Sequence, residues 1–174
     1  MNIFNKIFLV IFFFFNVNLL NANEKYVYVD MNLLINSSDA GKYISTEIEK
    51  IHKKKIQELK KTKETLKSDE SIIINQKNVI SKEEFDKKLS ELRIKARDYE
   101  KQRINNSKSL SQKRIKASGD LLNLIQPILT EYADKNSIAI IFKKTSIVIG
   151  KVDLDITNQI LEILNKKHKK IDLN

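Results

Sequence analysis

Hydrophobic positions in this chain change period several times, and each change predicts an element. Tyr26-Val27-Tyr28-Val29 is a short aromatic and β-branched run between polar neighbours, the pattern of a β-strand. From Ala40 the apolar positions Ile44, Ile48, Ile51, Leu59 and Leu66 step by three, four and seven, which draws one thin stripe along an amphipathic helix. Lys55 and Thr62 stand where that stripe should continue. Ser68 to Ser81 breaks the rhythm, and its run Ile72-Ile73-Ile74 marks either a hairpin tip or a slipped helical register. Ser81 and Glu84 have the spacing of a capping box, and Phe85 opens a second stripe. That stripe runs through Leu89, Leu92, Ala96 and Tyr99 in steps of four and three, as a coiled-coil seam does. It meets Arg103 and Asn106, then recovers at Leu110, Ala117, Leu121, Leu124 and Ile128.

Two helices joined by a short tip must run antiparallel, so these stripes predict an αα-hairpin. An arm of about 35 residues would reach roughly 50 Å, and with one broken stripe per helix it buries little surface. Near its base the second helix turns more apolar, Leu121 to Ala133, with Pro127 expected to kink it and Asp134 to Ser137 to end it. Ile138 to Phe142 and Ser146 to Ile149 then read as two strands of a hairpin turning at Lys143-Lys144-Thr145. Asp155 or Thr157 can cap a last helix with apolar Ile160, Leu161, Ile163 and Leu164. The opening strand therefore finds its partners at the far end of the chain. The expected fold is α+β and mostly α: a small head of three strands per chain, with a long helical-hairpin arm inserted between strand 1 and strand 2. The segments are a leader over 1–22, head over 23–41, arm over 42–120 and head again over 121–174.

A core of three strands and one short helix is marginal alone, and its open edges of Val, Ile and Tyr are most cheaply covered by other copies of the chain. Tyr26, Val27, Tyr28, Val29, Ile138, Ile140, Ile141, Ile147 and Val148 are accordingly expected to form the head core and the oligomer contact. The start of the chain bears on where this happens. Ile7 to Phe15 is an unbroken apolar run behind the single charge of Lys6, and Ala22 is a small residue at a plausible cut site. The run is short for a membrane span, so a cleaved secretory signal peptide is the expected reading, with an uncleaved anchor as the alternative.

Composition supports long helices rather than a compact globule: one Pro, three Gly, no Cys and no Trp in 174 residues. An exported chain without Cys holds itself by packing or association, which suits a bacterial periplasm. The balance of 32 basic to 22 acidic residues, net +10, falls on the arm. Expected client-facing charges are Lys53, Lys54, Lys60 and Lys61 on the first helix. On the second they are Lys82, Lys87, Lys88, Arg93, Lys95, Arg97, Lys101 and Arg103. No catalytic constellation is found: there is no glycine-rich phosphate loop, and His52 and His168 sit among lysines as solvated helix residues. No set of His, Asp or Glu has convincing metal-ligand spacing, so neither an enzyme nor a bound cofactor is expected.

"YVDMNLLINSSDAGK" ahead of a long Lys/Glu helix, "IAIIFKKTSIVIGK" and "DLDITNQILEILNKK" resemble, in that order, the Skp/OmpH family of periplasmic chaperones. The resemblance implies a jellyfish-like homotrimer whose three helical hairpins enclose a cavity for unfolded outer-membrane proteins. It implies a holdase that keeps such clients from aggregating, with an anionic lipid or lipopolysaccharide surface as a further partner. Two other readings stand beside it. A lysine-rich coiled coil could be a structural tether in the envelope, or could attract nucleic acid without sequence preference. Export and the lack of a groove-reading motif argue against the last.

Overall fold

The computed structural model describes residues 24–173, so the expected leader and its cut site lie outside the described residues. The elements are β1 (Lys25–Val29), α1 (Met31–Ser37), α2 (Asp39–Gln76), α3 (Lys82–Lys135), β2 (Ile138–Lys143) and α4 (Thr157–Lys167). β1 and β2 pair in parallel, Tyr26 with Ile140, Val27 with Ile141, Tyr28 with Phe142 and Val29 with Lys143. Parallel neighbours need a crossover connection rather than a tight turn. Here the crossover is the whole helical hairpin.

The head core gathers one face from each element: Val27 and Val29 of β1, Leu34 of α1, Ile44 and Ile48 of α2, Leu121, Ile125 and Ile128 of α3, Ile160 and Leu164 of α4. Burying each such side chain is worth about 1.5–3 kcal/mol, so a few residues per element hold the head together. β1 is covered on both faces, which explains why Val27, Tyr28 and Val29 are buried in succession. On the outer face Gly150 lies against the Tyr28 ring, where an added Cβ would come within 2.8 Å of a ring carbon. The Tyr28 hydroxyl donates to the Lys151 carbonyl at 3.2 Å.

The connection after β1 carries a helix that periodicity did not announce. Asp30 caps α1, its side chain accepting from the Leu33 amide, and Ser38 breaks α1 from α2. The wholly buried Ser38 side chain accepts from the Gly41 amide at 3.1 Å. Gly41 is required there, because a Cβ would fall 1.7 Å from the Ile35 carbonyl oxygen. Such a contact is impossible without moving backbone.

α2 continues through Ile72-Ile73-Ile74 to Gln76, so the tip is only the stretch between α2 and α3. Ile73 is buried in the seam while Ile72 and Ile74 are exposed, which makes the apolar run helical in register rather than a tip. Ser81 starts α3 as its spacing predicts, accepting from the Glu84 amide at 3.2 Å. α3 runs without interruption through Pro127. Pro127 and Asn123, whose carbonyl loses its helical donor to the proline, are both exposed, so water can satisfy that carbonyl.

The expected third strand is corrected. Lys144–Ser146 forms a 3-10 turn, and Ser146 to Ile149 pairs with nothing among the described residues. A tight hairpin wants residues that accept positive φ, and Lys-Lys-Thr supplies none. The chain instead folds back over Tyr28 and touches the other edge of β1 at one point, where the Ile156 amide donates to the Tyr28 carbonyl at 3.0 Å. Of the residues expected in the head core, Val27, Tyr28, Val29 and Ile138 are buried and Ile141 and Ile147 half-buried. Tyr26, Ile140 and Val148 are exposed in the single chain, Val148 at 98%.

Candidate functional site: a basic cleft between the arm helices

The seam between α2 and α3 is not uniform along its length. At the base Ile44 and Ile48 join Ala117 and Leu121 in the core. Towards the tip Ile73 is buried, and Lys95 of α3 reaches across to Asp69 of α2 at 2.8 Å. That hydrogen bond, and then the Asp69 charge, raise the Lys95 ammonium above its ordinary range. Lys88 donates to Gln76 at 2.8 Å, a second polar tie across the helices.

Between these ends the apolar seam fails. Lys55 and Leu59 of α2 face a stretch of α3 holding Tyr99, Arg103 and Asn106, side chains too polar to close a dry interface. A cleft of about 760 Å³ opens there. Ile48, Ile56, Leu59 and Leu110 form its apolar floor. His52, Lys55, Lys60, Lys63, Arg103 and Arg114 line it with basic groups against one acid, Glu49. Some of these cations are paired on their own helix, Lys55 with Glu58 at 3.0 Å and Arg103 with Glu100 at 2.9 Å. Lys60, Lys63 and Arg114 make no ion pair among the described residues. The cleft can therefore attract an anionic group by long-range charge and contact an apolar one on its floor.

The structure distributes the sequence-derived arm charges unevenly. Lys60 and Arg103 line the cleft. Lys53 pairs with Glu49 at its margin, at 3.4 Å. Lys88 and Lys95 tie the tip, and Lys88 also pairs with Glu84. Lys54, Lys61, Lys82, Lys87, Arg93, Arg97 and Lys101 are exposed on the helices and line neither this cleft nor the smaller one near the tip. Sequence reasoning passed over Lys55, Lys63, Asn106 and Arg114 as site residues, and read His52 as merely solvated. The signal that could have found them was the break in each stripe, at Lys55 on α2 and at Arg103 and Asn106 on α3, which line the same cleft once the helices fold back. Among the described residues no cluster of His, Asp or Glu could hold a metal ion, and no helix is long and apolar enough to cross a membrane.

Against known families, residues 25–164 match the profile described as Outer membrane protein (OmpH-like). The chain belongs to the OmpH-like family. The match includes both strands, the whole arm and α4 up to Leu164, so the last helical turn and the tail fall outside it. An OmpH-like protein from Caulobacter crescentus CB15, described as a candidate outer membrane chaperone, has a crystal structure similar to this one. The TM-score is 0.82 over 86% of this chain and 88% of that one, at 14% identity, so the likeness is one of fold. Among curated proteins, none matches the chain in sequence.

Proposed function

We propose that this OmpH-like protein is a non-enzymatic periplasmic holdase, exported by a cleaved leader, that keeps unfolded outer-membrane β-barrel chains from aggregating before insertion. The observation that carries the reading is the basic cleft in a thinly packed arm. A chaperone must capture many sequences and release them, which favours long-range charge and shallow apolar contact over a close-fitting pocket. The arm offers both, and family membership supports the choice of client class.

The working form is a homotrimer with three arms around a shared cavity. Its support is the apolar surface one chain leaves open: Ile140 and Phe142 on β2, then Val148, Ile149 and Val152, all exposed. Beside β2 runs a groove lined by Met31, Leu122, Leu129 and Phe142. Copies that pair through this surface would complete the sheet that a single chain leaves at two strands. An anionic lipid or lipopolysaccharide surface would meet the same excess of arm charge.

The test is aggregation of a denatured outer-membrane β-barrel on dilution from urea, read by light scattering. The chain from which the leader has been removed should suppress it. A variant with α2 and α3 cut back to their bases should not. Equal suppression by both would remove the arm from the function and favour a structural role for it.

A further inference from the structure

The chain beyond α4 returns to the arm. His168 ends the helix, its amide donating to the Leu164 carbonyl at 2.7 Å, and takes an extended conformation. The following residues lie across both arm helices. Lys170 places its ammonium 5.6 Å from the centre of the Tyr43 ring of α2, a cation–π contact. Ile171 and Leu173 pack half-buried against the core. Lys113 of α3 donates to the Leu173 carbonyl at 3.0 Å. Lys113 neighbours Arg114, and Leu110 and Ser111 lie within one turn of it, so at Leu173 the chain has reached the lower margin of the cleft.

α4 itself is fixed to the head independently of this tail. Ile160 and Leu164 are wholly buried, Asn165 accepts from the Asp39 amide at 2.8 Å, and Lys167 pairs with Glu131 at 2.7 Å. One end of the tail is thus anchored to the head, and the other grips α2 and α3 where the dry base gives way to the open cleft. We propose that His168–Leu173 is a strap that ties both arm helices to the head, limiting how far the arm swings and how wide the cleft opens at its lower end. The inference rests on the geometry of one chain and stands whatever the cleft takes.

Amide exchange on the full chain tests it. An Ile171→Asp/Leu173→Asp variant should exchange on the order of ten-fold faster over residues 44–51 and 110–117, because a helix opens more readily where apolar packing has been stripped from it. β1 and β2 should keep their protection, the sedimentation of the protein should not change, and Ile171→Val/Leu173→Val should behave as wild type. Unchanged exchange in the Asp variant would show the tail to be inert and overturn the proposal. Acceleration spread equally over β1 and β2 would also overturn it, because the tail would then hold the head as a whole rather than the arm helices. Should the double Asp variant not fold, Lys113→Gln carries the same test, with a smaller acceleration over the same two segments expected and none overturning it.

Discussion

Asp155 lies among donors from two parts of the chain. One carboxylate oxygen accepts from the Thr157 amide at 3.0 Å and from the Thr157 hydroxyl, the other from Lys144 at 3.2 Å. The Thr157 hydroxyl in turn accepts from the Asp30 amide at 2.8 Å, so the end of β1 and the start of α4 share one buried threonine. Burial raises the Asp155 pKa, but the Thr157 hydroxyl, the Thr157 amide and Lys144 together outweigh it and hold the carboxyl below the ordinary aspartate range. A depressed carboxylate stabilises the fold fully above its unfolded pKa and loses that contribution as pH falls through the folded value. Asp155→Asn should therefore cost about 1 kcal/mol at neutral pH through weaker hydrogen bonds from Thr157 and the lost charge pairing with Lys144. Its melting temperature should converge on wild type in acid. Thermal melts at pH 7 and at successively lower pH read both; a gap independent of pH would assign the loss to packing instead.

At the scale of the element, the arm trades stability for an open face. Each seam position filled by Lys55, Arg103 or Asn106 forgoes the burial that Ile or Leu would bring, and a cleft lies between the helices there instead. Replacing Arg103 and Asn106 together with Leu should close part of that cleft and stabilise the arm by roughly 1–3 kcal/mol. Amide exchange over residues 55–63 and 99–107 should slow, and affinity for an unfolded β-barrel should drop. Slower exchange with unchanged client binding would separate the cleft from the function. The salt bridge of Lys95 to Asp69 near the tip is exposed, and such pairs contribute little. Tip stability should depend more on the buried Ile73.

At the scale of the whole molecule, the open apolar surface of the head and the charge of the arm make separate demands. Ile140 is 45% exposed in the single chain and Val27 only 1%, so the two residues test different things. Ile140→Asp should dissociate the proposed oligomer while leaving a folded chain, whereas Val27→Asp should unfold the head by burying an unpaired charge. Sedimentation together with circular dichroism distinguishes them, and an Ile140→Asp protein that stays associated would place the interface elsewhere. The charge makes its own prediction. Substituting Lys60, Lys63, Arg103 and Arg114 with Gln should leave helicity and assembly intact and weaken binding of an acidic unfolded client. Added salt should weaken wild-type binding in the same direction. Binding indifferent to both would leave the apolar floor of the cleft as its only source.

What the sequence determined by itself is everything that repeats or terminates locally. The steps of three and four from Ile44 and from Phe85 specify helices, because each such side chain falls on one face whatever lies opposite. Ser81 with Glu84 placed the start of α3 through a bond three residues long. The family was legible in the segments around Tyr28, Ile138 and Asp153. What only the tertiary structure decided depends on residues far apart in the chain. The run Ser146 to Ile149 has the composition of a strand, but a strand needs a partner edge, and the turn at Lys144–Ser146 leads it away from β2 and over Tyr28. The cleft exists because Lys55 lies across the seam from Tyr99, Arg103 and Asn106, a juxtaposition set by where the chain turns back. The contacts of the tail with Tyr43 and Lys113 likewise join residues distant in the chain. Local hydrogen bonds and periodicity are encoded within a few residues, whereas facing positions are encoded only by the fold that brings them together.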